Sequence, residues 1–173
     1  MQFFQKRDLD KIEKDLKSKN TLNNKSALYF LIDHILTQHQ RYEENYSLIM
    51  FESKIGKNVD SSCIELKQDK IDKIVADKLK SVCRKSDMLF HCDDGFFCIL
   101  TRVFEGDDTV MFCKKLDKHL SNLEYDDDCR LSIDLKFGVT FSKDKDTVEA
   151  FSQRAFEALS KAGEVSEKII VKV

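Results

Sequence analysis

The sequence predicts one α/β sandwich with a mixed central sheet. Three observations carry this. Segments with apolar residues every three or four positions alternate along the chain with short apolar runs of strand length. One stretch, 131–141, alternates apolar and polar residues strictly, as a half-buried strand does. Near the middle, Asp94-Gly95 separates two apolar runs, the strongest short-range signal for a hairpin.

The elements follow in order. Residues 5–19 are charged, with Leu9, Ile12 and Leu16 on one helical stripe: either a solvated helix with one sticky face or a helix that dimerises or transmits a signal. A second helix covers 25–42, with Leu28, Phe30, Leu31, Ile35 and Leu36 as its apolar positions. Tyr46 to Phe51 is a continuous apolar run, short enough for a buried strand. From 67 to 83, Ile71, Ile74, Val75, Leu79 and Val82 mark an amphipathic helix. The hairpin strands are 87–92 and 96–101. A helix over 107–123 follows, with Val110, Cys113, Leu116, Leu120 and Leu123 in register. After the alternating strand, Asp146 with Glu149 three residues on resembles a capping box. The stripe Val148, Phe151, Ala155, Leu159 and Ala162 continues that helix, and 168–173 is a last short strand. The order is two helices and then βαββαβαβ, without repeat or linker.

Composition narrows the function. The 173 residues contain no proline and five glycines, where average usage gives about nine and twelve. Gly56, Gly95, Gly106, Gly138 and Gly163 are scattered, so neither GxGxxG nor GxxxxGK[ST] occurs and those backbone phosphate cradles are excluded. A net charge of −2, from 29 basic and 31 acidic residues, supplies no broad attraction to nucleic acid. No apolar run approaches a membrane span, and the N-terminus, with acidic residues and no long apolar segment, is not a signal peptide, so a cytoplasmic protein is expected. The six cysteines (Cys63, Cys83, Cys92, Cys98, Cys113 and Cys129) include no CxxC and are expected as buried free thiols. His34, His39, His91 and His119 form no metal-binding pattern, and no cofactor is expected.

Three stretches carry a resemblance. Arg84-Lys-Ser-Asp-Met-Leu-Phe-His-Cys-Asp-Asp-Gly-Phe-Phe-Cys-Ile-Leu100 is similar to RxxD…RYGGDEFxxL. Lys136-Phe-Gly-Val-Thr140 is similar to SIGVA, and Arg154-Ala-Phe-Glu-Ala-Leu-Ser-Lys-Ala162 to RADxALYxAK. In this order and spacing they resemble a GGDEF domain, the diguanylate cyclase fold related to polymerase palms and nucleotidyl cyclases. The resemblance covers residues 21–173 and leaves 1–20 as an N-terminal helical extension.

The departures bear on activity. Asp93 and Asp94 stand where the family has two glycines that let GTP approach the backbone, and carboxylates there add bulk and repel a triphosphate. Gly95 replaces an acid that ligates magnesium, Phe96 replaces the next acid, and only Phe97 is kept. Glu52 could stand in for the metal-binding aspartate of the first strand, but two-metal phosphoryl transfer needs its partner carboxylate. Gly163 takes the place of a lysine near the phosphates, and Phe156 that of the last helix's aspartate. Asp93, Asp94 and Glu52 are either a displaced metal site or a charged turn.

Other positions could retain a ligand. Asp69 and Asp60 fall where the family binds guanine, although an acid in a helix's first turn is also favoured by the helix dipole. Arg84 and Asp87 match the RxxD of the family's inhibitory cyclic di-GMP site. Arginine offers a fork to phosphate or guanine, and the carboxylate accepts from guanine nitrogens. The leading expectation is a degenerate, non-catalytic GGDEF-like domain in bacterial cyclic di-GMP signalling, acting through a protein partner or by dimerising. The alternatives are a cyclic di-GMP receptor using Arg84 and Asp87, or a residual or altered nucleotidyl cyclase.

Overall fold

A computed structural model describes residues 22–56, 66–126 and 129–173. The predicted helix at 5–19, Asp60 and Cys63 lie outside these residues. The described elements are α1 (Lys25–Tyr42), β1 (Tyr46–Ile55), α2 (Gln68–Val82), β2 (Met88–Asp93), β3 (Phe96–Arg102), α3 (Gly106–Leu120), β4 (Asn122–Asp126), β5 (Cys129–Phe141), α4 (Val148–Glu164) and β6 (Ile169–Val171).

The sheet runs β2-β3-β1-β5-β4, with β6 also paired to β5. All pairs are antiparallel except β5 with β6, so the predicted mixed sheet is present. β1 is central, flanked by β3 and β5. Its near-continuous apolar run follows from that place, because both of its faces are covered. Ile49 and Phe51 join the core under α2 and α3, while Leu48 and Met50 join the core under α1 and α4. Phe51 stacks on Phe97 of β3 at 5.3 Å between ring centroids and meets Phe137 of β5 at 5.4 Å, which ties the three inner strands together.

Three expectations need correction. The helix predicted over 107–123 ends at Leu120. Leu123 continues the helical spacing, yet it pairs with Leu131 in a strand that the pattern did not reveal. Tertiary pairing wins here, since Leu123 is buried either way. The last helix is capped by Thr147, whose side chain accepts from the Ala150 amide at 3.1 Å; Asp146 is used otherwise. The alternating strand is half-buried only in its first part. Towards its C-terminal end α4 lies over the polar face, and Thr140 is fully buried. Gly138 makes that approach possible. A Cβ there would stand 2.2 Å from the Leu159 amide nitrogen and 2.4 Å from the Ala155 carbonyl oxygen.

Candidate functional site

The β2–β3 hairpin carries the residues that replace the signature. Asp93 and Asp94 are exposed at its tip, and Asp93 accepts from the Asp94 amide at 2.9 Å, a local turn bond. Gly95 is buried and left-handed, at φ 69°. Its amide donates to Asp72 Oδ2 at 2.9 Å and its carbonyl accepts from the Ser53 amide at 2.7 Å. A Cβ at Gly95 would lie 3.0 Å from the Ser53 carbonyl oxygen, so backbone conformation and space both favour glycine. Phe97 is fully buried, and Phe96 is half-buried beside Glu52 in the β1–β3 register.

Asp72 was missed by the sequence reading, although its signal was present: a carboxylate next to Ile71 on the stripe that continues through Val75 and Leu79. It is 4% exposed. Its Oδ2 also meets His91 Nε2 at 2.8 Å, and its Oδ1 accepts from the Gln68 side-chain amide at 2.7 Å. Among the described residues, the partners of this carboxylate belong to the hairpin or to its own helix. His91 lies against Phe97, 4.9 Å between ring centroids, which holds the imidazole in place. Buried carboxylates persist where such bonds replace hydration.

Between α1, α4 and the hairpin opens a groove of 1120 Å³. Glu52, Asp93, Asp94 and Glu149 line it, and among the described residues Lys25 is the only basic one that does. Its aromatic lining is Tyr29, Phe96 and Phe156, the last 50% exposed. Four carboxylates against one ammonium disfavour a triphosphate. The groove therefore brings together Glu52, Asp93, Asp94 and Phe96. Glu52 is paired with Lys54 at 2.8 Å, and Gly95 offers no side chain. Among the described residues no cluster of three or more His, Cys, Asp or Glu could hold a metal ion. The residues present thus do not fit the two-metal centre that the signature implies.

Asp69 is exposed in the first turn of α2, away from the groove lining. Arg84 and Asp87 lie elsewhere, at the junction of α2 and β2. Asp87 Oδ2 accepts from the Arg84 amide at 2.8 Å, and its Oδ1 accepts from the Thr101 hydroxyl at 2.7 Å. Both oxygens thus shape the turn. The Arg84 side chain is exposed and lines a second groove, of 390 Å³, with Asp87, Arg102, Phe104 and Lys115.

At the far end of β5 the third motif builds a polar network. Arg154 donates to both oxygens of Asp146, at 2.8 and 2.7 Å, to Thr140 Oγ1 at 2.9 Å and to the Phe141 carbonyl at 2.8 Å. Burial raises the Asp146 carboxyl, but bonds from Arg154 and the Lys143 amide outweigh it and hold the pKa below the ordinary 3.8.

No helix among the described residues is long and apolar enough to cross a membrane. No curated protein matches the chain. Solved structures do. The diguanylate cyclase SiaD of Pseudomonas aeruginosa, solved with its activator SiaC, superposes with a TM-score of 0.76 at 19% identity, covering 95% of this chain and 66% of that one. The coiled coil and GGDEF domain of DgcB from Caulobacter crescentus, solved with c-di-GMP, gives 0.74 at 13% identity over 95% and 90%. The FimX GGDEF domain of P. aeruginosa gives 0.73 at 16% identity over 87% and 94%. The family profile described as "Diguanylate cyclase, GGDEF domain" matches residues 18–168. With its sheet order, hairpin and motif order in agreement, the chain belongs to the GGDEF domain family.

Proposed function

We propose that this chain is a non-catalytic GGDEF domain that works in bacterial cyclic di-GMP signalling by engaging a protein partner or a second copy of itself. Residues 1–20 would be the extension that couples it to that partner, in the cytoplasm. One observation carries the reading. The signature position that would supply a metal-ligating acid is a left-handed glycine whose amide and carbonyl are both bonded within the fold. The acidic, aromatic groove supports it, because that lining favours a basic or apolar partner surface over GTP. SiaD, a diguanylate cyclase, was solved with a protein activator, which supports a protein partner though not the absence of catalysis. The test is incubation with GTP, and separately ATP, with Mg²⁺ or Mn²⁺. No cyclic or linear dinucleotide product is expected, and any product formed above a no-protein control sinks the reading.

A second reading is favoured by the groove at the α2–β2 junction. Arg84, Arg102 and Lys115 face one depression beside Phe104, which is 76% exposed and can stack on a base. This would be a cyclic di-GMP receptor site, with Arg84 binding a phosphate or a guanine edge and Asp87 holding the turn. DgcB was solved with that ligand. Calorimetric titration with cyclic di-GMP tests it. Micromolar binding that Arg84→Ala weakens on the order of tenfold supports the site; no heat at high micromolar ligand, or binding unchanged by Arg84→Ala, removes it.

A further inference from the structure

Cys98 belongs to the core under α1 and α4 and Cys92 packs against it, on the face of the hairpin that floors the larger groove. Cys92 sits in the irregularity of β2, where the pairing with β3 shifts between His91 and Asp93. Cys98 pairs with Phe90, two residues before Cys92 and on the same face. The shift brings the two sulfurs to 3.5 Å. Their access differs. Cys98 is 1% exposed, whereas Cys92 is half-buried and lines the groove. A small reagent in the groove meets Cys92 first, with Cys98 directly behind it.

We propose that Cys92 and Cys98 form an oxidisable pair, converted by hydrogen peroxide into an intramolecular disulfide across the signature hairpin. The Cys92 thiolate attacks one peroxide oxygen. The O–O bond breaks, the departing hydroxide takes a proton to become water, and Cys92 is left as a sulfenic acid. The Cys98 sulfur then attacks the Cys92 sulfur. The S–S bond forms, the S–O bond breaks, and the leaving hydroxide takes the Cys98 proton as a second water. Two thiols are oxidised and one peroxide is reduced to two waters. Small side-chain rotations close the gap to a bond of about 2.05 Å.

The surroundings favour that division of labour. The hydrogen bond with Cys98 lowers the Cys92 pKa, and the charge of Lys25 acts in the same direction against the opposing effect of burial. Burial holds the Cys98 thiol well above its ordinary value, so it remains protonated until the sulfenic acid is beside it. The other described thiols are poor competitors. Burial, with the charge of Asp87 added, pushes Cys83 up to about 12, and burial alone does the same to Cys113. The inference is independent of the function proposed above, since neither nucleotide nor partner enters the chemistry.

The experiment uses the whole purified chain. After brief exposure to hydrogen peroxide it is denatured, alkylated and digested with trypsin. Both sulfurs fall in one peptide, Ser86 to Arg102, which holds no other cysteine. The expected result is this peptide without alkyl groups and lighter by two hydrogens, with mass restored by dithiothreitol, while Cys83 and Cys113 are still alkylated. It should oxidise on the order of tenfold sooner than they do. A doubly alkylated peptide, a Cys92 sulfinic acid beside an alkylated Cys98, or oxidation no faster than at Cys83 overturns the proposal. In Cys98→Ala, dimedone should trap a Cys92 sulfenic acid that the unaltered chain does not accumulate; equal trapping in both chains also overturns it. The peptide map of the unaltered chain stands even if the variant does not fold.

Discussion

Two polar clusters hold this domain together, and they have opposite relations to the family pattern. At one end of the sheet, Arg154 grips Asp146, Thr140 and the Phe141 carbonyl, and Arg154 and Thr140 belong to stretches that keep their resemblance. At the other, Asp72 grips His91 and the Gly95 amide, at a signature that has lost it. Both clusters bury a carboxylate and satisfy it fully. The first joins α4 to β5. The second lies at the signature hairpin, where Asp72 bonds the Gly95 amide and His91 as well as Gln68 of its own helix.

The comparison can be broken by mutation. Arg154→Ala should have the largest effect, about 3–4 kcal/mol in chemical denaturation, because it strands a nearly buried carboxylate. A loss under about 1 kcal/mol would mean the network is replaceable by water. Asp72→Ala should cost about 2–3 kcal/mol, with faster hydrogen exchange at Gly95 and His91 than at β5. Uniform exchange would show that Asp72 supports the whole sheet rather than the hairpin.

Gly95→Asp puts the signature acid back. It should cost about 1–3 kcal/mol through left-handed strain and yield no dinucleotide from GTP and Mg²⁺. Activity in that variant would show that restoring this one carboxylate is enough to rebuild the site. The pH dependence separates the clusters further. Asp146 has a folded pKa below 3.8, so its stabilisation is present above that pH and is lost as pH falls through the depressed value. Asp146→Asn should flatten that acid limb of the stability profile, and an unchanged limb would assign it elsewhere. Asp94→Gly, at an exposed tip, should shift stability by no more than about 0.5 kcal/mol.

Much of the fold was legible because its period is local. The apolar steps of α2 and α4, the alternation of β5 and the turn at Asp94-Gly95 each report on a few neighbouring residues. β4 was illegible for the opposite reason. Leu123 satisfies the helical spacing after Leu120, and only its pairing with Leu131 makes it a strand. The covering of Gly138 by α4 is likewise a long-range fact. At the site, the replaced signature was visible in the letters, and the structure places Glu52, Asp93, Asp94 and Phe96 around one groove. Asp72 was overlooked because its partners, His91 and Gly95, are distant in sequence and the hairpin brings them to it.

The central position of β1 has a consequence for how the chain comes to be folded. β1 is the first described strand, and one of its two neighbours is β5, with Ser47 opposite Phe141. Nearly the whole domain must be synthesised before that edge of β1 is satisfied. β2 and β3 can form a local hairpin early, but the strand they add to waits with an apolar, unpaired flank. Closing so long a loop slows collapse, and it leaves the nascent chain exposed to edge-to-edge association until β5 emerges from the ribosome.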